Sequence, residues 1–199
     1  MQVARVHLID QLRRGGSLVS FPTDTVPALA SRPQDASLIY EAKQRSPQKS
    51  LILMAANAED IWPYVVGGKT EQQEWQRLTQ IYWPGMVTFV LPVSDRIPLV
   101  MHAATPNTLG FRVPSSAIAR DILAQTGPLA TTSVNLSGSP PLTRLADINQ
   151  EFPQVLTLRD DDLADNGGSY AGNGQPSTVV AWTDGGWRVV RQGTVTFTA

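Results

Sequence analysis

The stretch LGFRVPSSAIARDILAQTGPLATTS, residues 109–133, reads as strand, helix and strand in succession. Leu109 to Val113 is a short apolar run ended by Pro114, whose ring leaves no N–H for a ladder. Ser115 or Ser116 offers the side-chain oxygen that opens a helix of the type AIARDILAQ, and Gly127-Pro128 stops it. Leu129 to Ser133 is extended again. The same alternation continues on both sides. Val3, Val6, Ile9 and Leu12 recur at a helical interval, so an amphipathic helix is expected over 3–14, closed by Gly15-Gly16. Ser17 to Phe21 reads as a strand. PTDTVPALASRP then holds three prolines and is expected to be an irregular loop. Asp35 is the expected cap of a helix running to about Lys43, and Ser50 to Met54 a buried strand. Thr70 with Gln73 resembles a capping box opening a helix to about Tyr82, which Trp83-Pro84-Gly85 ends. Met86 to Leu91 is a further strand. Leu145 to Phe152 should be helical and Gln154 to Leu158 extended. Asp160 to Pro176, polar and rich in Gly and Asn, is expected to be a mobile loop. Thr178 to Trp182 and Trp187 to Arg191 form a hairpin across Asp184-Gly185-Gly186. Alternating elements closed by a hairpin imply an α/β fold with a mixed parallel and antiparallel sheet, as one domain over residues 1–199.

The 199 residues are 42% hydrophobic and 17% charged, the composition of a folded globular chain. Cysteine is absent, which excludes disulfides, thiol catalysis and cysteine-based metal sites. The formal net charge of −1 counts against a strong grip on bulk nucleic acid through many phosphates. No stretch reaches the roughly 18 apolar residues of a membrane span, and the opening MQVARVHLIDQLRRGG has no apolar run of the signal-peptide kind. A cytoplasmic protein without a membrane partner is expected.

Neither GxxxxGK[ST] nor GxGxxG opening a helix is present. Gly167-Gly168 and Gly172-Asn173-Gly174 fit a lid or connector better than a phosphate cradle. His7 and His102 are isolated, so no Ser-His-Asp arrangement can be argued. Asp160-Asp161-Asp162 reads as a solvated turn, not a cation site. Three segments remain. Lys43-Gln44-Arg45 closes a helix: it either caps the helix C-terminus or turns two cations toward one anion. Ala130 to Gly138 carries hydroxyl and amide side chains past the end of an apolar strand, and alternation puts Thr131, Ser133 and Asn135 on one side. They suit phosphate, ribose or carboxylate, or else form a polar turn capped by Asn135 or Ser137. The last group is Pro22-Thr23-Asp24-Thr25, Phe111-Arg112-Val113 and Pro176-Ser177-Thr178. Arg112, inside an apolar strand, needs an anion from protein or ligand. Arg191 stands in a similar position.

In this order the segments resemble the YrdC-like family of threonylcarbamoyl-AMP synthases. Phe21 to Val26, Lys43-Gln44-Arg45, Ser50 to Ile52, Trp83 to Thr88, Phe111 to Pro114, Ser133 to Gly138, Pro176 to Val179 and Arg191 to Gly193 each match an element of the family pattern. The resemblance implies a twisted mixed sheet with an open concave cleft. It also implies a nucleotidyltransferase that converts L-threonine, bicarbonate and ATP, with Mg²⁺ accompanying the ATP, into threonylcarbamoyl-AMP and pyrophosphate. A downstream tRNA-modifying enzyme would consume the product. By resemblance, Lys43, Arg45, Ser133 and Asn135 form the catalytic set and hold the triphosphate, with Ser177 and Arg191 on the nucleotide side. Thr23, Arg112 and Thr131 fall on the amino-acid side, Arg112 as partner of its carboxylate, and no protein metal site is implied. The alternative within the fold is a non-catalytic module for nucleotide, tRNA or double-stranded RNA. The chain departs from the pattern at Pro27-Ala28, where the family has an aromatic residue and glycine, and at Ser46, where it has proline. Both bear on activity and substrate choice.

Overall fold

The computed structural model describes residues 1–103, 105, 107–166, 170, 172–183 and 185–199. Ten strands form one sheet: β1 (Gln2–Val3), β2 (Val19–Phe21), β3 (Ala28–Ser31), β4 (Ile52–Met54), β5 (Val87–Pro92), β6 (Thr108–Arg112), β7 (Leu129–Ser133), β8 (Leu156–Leu158), β9 (Thr178–Thr183) and β10 (Gly186–Arg191). Their spatial order is β1-β8-β2-β3-β7-β4-β6-β5-β9-β10. Four neighbouring pairs are parallel and five antiparallel, so the sheet is mixed as expected. The α-helices are α1 (Arg5–Arg14), α2 (Ser37–Ala42), α3 (Lys69–Tyr82), α4 (Ala117–Thr126) and α5 (Leu145–Glu151).

Register divides the central strands into two unlike faces. Leu29, Ala130, Leu53, Phe111, Phe89 and Val180 lie on one face and are completely buried. They share one core with Leu8 and Leu12 of α1 and with Ile118 and Ile122 of α4. The opposite face is built from their sequence neighbours: Ala28 faces Ser133, Thr131 faces Ile52, and Ile52 faces Gly110. Met54 faces Arg112, and Thr88 faces Val179. One face is therefore large and apolar, while the other is small, hydroxylated and cationic. The two-residue repeat of a strand makes both from the same segments.

Several local expectations change. Ala28–Ser31 is a strand, not irregular loop: Pro27 and Pro33 stand just outside it, so no ladder N–H is lost. Gln2–Val3 pairs with β8, and α1 starts at Arg5. Asp35 does not cap α2. Its carboxylate accepts from the Gly16 N–H and the Arg32 Nε, both at 2.9 Å, and Ala36 precedes the helix without a side-chain cap. At α3 the N-cap is Gly68, whose N–H donates to the Glu71 carboxylate at 2.8 Å, and not Thr70. Ser116 does cap α4, accepting from Ala119 N–H. Asp160–Asn166 is a 3₁₀ helix. Farther along the expected mobile loop, Tyr170 is buried and donates its hydroxyl to the Ser20 carbonyl at 2.6 Å. Asn173 and Gly174 donate their N–H groups to the carbonyls of Asp24 and Thr25 at 3.2 and 3.1 Å. Gly167, Gly168 and Asp184 lie outside the described residues; the hairpin itself is present as the antiparallel β9–β10 pair.

Candidate active site

The small-residue face of the sheet floors a cleft of about 370 Å³, within the roughly 300–1,000 Å³ range of small-molecule sites. Thr23, Thr25, Arg45, Arg112, Thr131, Ser133, Ser177 and Arg191 all line it. Seven of the nine residues singled out in the sequence thus meet on one concave surface, although they come from points far apart in the chain. Lys43 and Asn135 lie behind its wall.

The Lys43-Gln44-Arg45 turn explains how two cations so close in sequence part. Gln44 takes φ +47°, the left-handed region that few non-glycine residues enter. Arg45 N–H reaches back to the Tyr40 carbonyl at 2.9 Å. This geometry sends Lys43 inward and Arg45 to the cleft. Lys43 is fully buried. Its ammonium donates to the Ser133 carbonyl, to the Asn135 carbonyl at 2.6 Å and to Asn135 Oδ1 at 3.1 Å. Burial first, then the charges of Arg45 and Lys49, lower its pKa to about 7. Ser133 Oγ donates to Asn135 Oδ1 at 2.6 Å, and Asn135 Nδ2 donates to the carbonyls of Leu136 and Ser139 at 2.7 and 2.8 Å.

Arg45 donates to the carbonyls of Lys49 and Ser50, each at 3.1 Å. Arg191 donates Nε and Nη2 to the Ser177 carbonyl at 3.2 and 2.8 Å. Neither arginine pairs with a carboxylate among the described residues. Burial presses on the charge of both, and an anion in the cleft would relieve it.

Arg112 differs. Nη2 meets Asp24 Oδ1 at 2.7 Å, Nη1 donates to Thr25 Oγ1 at 2.8 Å, and Nε to the Gly85 carbonyl at 3.1 Å. Both ends of the ion pair are buried, and Asp24 Oδ2 also accepts from Ser115 Oγ. The protein therefore supplies an anion to Arg112, which also lines the cleft. In the sequence Asp24 and Thr25 stand out only as members of a motif. The Arg112 partnership, which gives them their place, is formed across 87 and 88 residues of chain. Thr88 likewise shows no role in the sequence alone. Alternation in MVTFVL puts it on the face opposite Phe89, and its hydroxyl pairs with that of Ser177 at 2.8 Å. Thr23 donates to the Val26 carbonyl at 2.7 Å and folds its own loop. Among the described residues no group of three His, Cys, Asp or Glu side chains could hold a metal ion.

At the departures from the pattern, the Pro27 carbonyl accepts from Val134 N–H at 3.1 Å, and the Ala28 methyl lies opposite Ser133. Ser46 Oγ accepts from Gln48 N–H at 3.2 Å. All three residues fit their local structure.

A mixed sheet with one face buried and the other flooring a cleft, into which two guanidinium groups without carboxylate partners among the described residues project, defines the class: an α/β protein with a cationic cleft on its sheet. The chain matches the Sua5/YciO/YrdC family model, described as telomere recombination, over residues 11–193, and it belongs to that family. A threonylcarbamoyl-AMP synthase of Chromohalobacter salexigens is 33% identical over 171 residues, 83% of this chain and 86% of the relative. One from Pyrococcus abyssi is 34% identical over 143 residues, 70% of this chain but 41% of the longer relative. The crystal structure of P. abyssi Sua5 complexed with L-threonine superposes with a TM-score of 0.82 at 26% identity, covering 97% of this chain and 56% of that one. Escherichia coli YciO superposes with a TM-score of 0.77 at 25% identity, covering 96% and 89%.

Proposed function

We propose that this chain is a threonylcarbamoyl-AMP synthase, a nucleotidyltransferase that joins L-threonine and bicarbonate to the α-phosphate of ATP for tRNA modification. The observation that carries the reading is the meeting of Arg45 and Arg191, neither with a carboxylate partner among the described residues, on one cleft with Ser133 and Ser177. The reaction brings two anions together. A carboxylate oxygen of N-carboxythreonine attacks the α-phosphorus, and the bond to the bridging oxygen breaks as pyrophosphate departs. Fixed cations lower that barrier because they need not reorganise as charge moves to the leaving group. In this reading Arg45 and Arg191 face the triphosphate. Thr23, Thr131 and the loop braced by Arg112 form the amino-acid end. Asp24, between the cleft-lining Thr23 and Thr25, is committed to Arg112 and Ser115; Mg²⁺ would accompany the ATP and offset the charge of its phosphates. A cytoplasmic location accords with the reading; no helix among the described residues is long and apolar enough to cross a membrane.

The test is release of pyrophosphate from ATP by the purified chain. It should require both threonine and bicarbonate, and Arg45→Ala should slow it by about 10²-fold or more. ATP binding without turnover under any amino acid would replace the synthase with a nucleotide-binding module. Absence of ATP binding would sink both.

A further inference from the structure

We infer that Lys43 is a positioning residue: it clamps the segment 133–139 from beneath and does not touch the bound anion. In its charged form the side chain has three N–H protons, and here three acceptors are placed to receive them, two on Asn135 and one on Ser133. The main chain of Lys43 holds the same segment, since its carbonyl accepts from Ser137 N–H at 3.2 Å. Both ends of one residue thus grip one loop across some ninety positions. The side chain is fully buried and does not line the cleft. A ligand could reach Nζ only by taking it from an acceptor that would then be buried and unpaired.

The clamp has a chemical consequence for the wall. Asn135 Nδ2 is engaged by two carbonyls, so the amide can face only one way, with Oδ1 toward Lys43 and Ser133. Ser133 therefore spends its proton on Oδ1 and presents only lone pairs to the cleft. In this arrangement Ser133 accepts a hydrogen bond from a ligand hydroxyl or N–H, and donation to phosphate falls to Arg45 and Arg191. The role given to Ser133 rests on the nucleotide-site reading above; the clamp does not.

Hydrogen exchange of the full ligand-free chain separates these ideas. Lys43→Met removes the donors and should speed exchange in a peptide covering 133–139 by tenfold or more. Lys43→Gln keeps two donors without charge and should recover part of the protection. Unchanged exchange in both variants, with affinity for Mg²⁺–ATP lost in both, would make Lys43 a direct phosphate ligand and overturn the inference. The unaltered chain gives an arm that no folding defect can cloud. The Asn135 side-chain amide resonances should stay in place as Mg²⁺–ATP is added to saturation. Their movement toward free-amide positions would mean that Lys43 leaves Asn135 for the ligand, which also overturns it. Failure of the unaltered chain to bind ATP would refute the functional reading and leave the exchange arm to judge the clamp.

Discussion

Arg112 and Lys43 are two buried cations that solve the same problem differently. Arg112 has a carboxylate. Removing it by Asp24→Ala leaves a guanidinium buried and unpaired, and breaking such a pair costs about 3–5 kcal/mol; urea unfolding should register that loss. Lys43 has neutral oxygens instead, and burial beside Arg45 and Lys49 brings its pKa to about 7 against 10.5 in water. The unfolded chain then binds more protons between those values. The stability due to this group is complete above pH 10.5, declines as pH falls toward 7, and is level below. Measured as the difference between the parent and Lys43→Met, unfolding free energy should therefore rise between pH 7 and 10.5, by up to about 1.4 kcal/mol per unit. A flat difference would place the lysine pKa near its ordinary value. The position of both cations was legible only in part. An arginine inside LGFRV announces that it needs an anion, but which anion depends on a contact 88 residues away. K-Q-R spacing conceals the separation of its two cations, because Gln44 must first adopt its left-handed turn.

Among the elements, strands bounded by clear breakers are the most legible: LATTS occupies its expected limits, and β6 lies within one residue of them at each end. The ALAS strand was hidden by the prolines on either side of it. Its pairing with β2 and β7 outweighs a local signal that says only where the ladder cannot extend. The cap of α3 was misplaced for a related reason: Thr70 and Glu71 both offer an oxygen, and the turn at Gly67-Gly68 decides which is used. The segment after Tyr170 looked mobile from composition. Gly172 packs against Asp24 and Thr23 so closely that an added methyl would overlap the Asp24 carbonyl. Gly172→Ala must therefore push this strap off the Thr23–Thr25 loop. The expected result is a loss of about 1–3 kcal/mol, with faster hydrogen exchange at residues 22–26. Unchanged exchange there would show that the strap does not support the loop.

The sheet as assembled gathers a cleft from β3, β7, β4, β6, β5 and β9, with Arg191 delivered by the last strand. The Arg191 side chain bonds only Ser177 among the described residues, so Arg191→Ala should leave the unfolding midpoint nearly unchanged. ATP affinity should fall roughly tenfold, as expected for losing one charged contact of about 1.5 kcal/mol; calorimetric titration reads it. Retained affinity would move the triphosphate to the Arg45 end. Neighbour-to-neighbour chemistry along the chain was enough to specify an α/β chain, most of its strands and the residue types that meet at the cleft, because periodicity, caps and breakers act within a few positions. Three-dimensional packing alone decided that Lys43 lies under Asn135 while Arg45 faces the cleft, and that Arg112 finds Asp24. Those outcomes depend on contacts across some ninety residues, where burial and the count of available donors, not local pattern, determine which partner each charge finds.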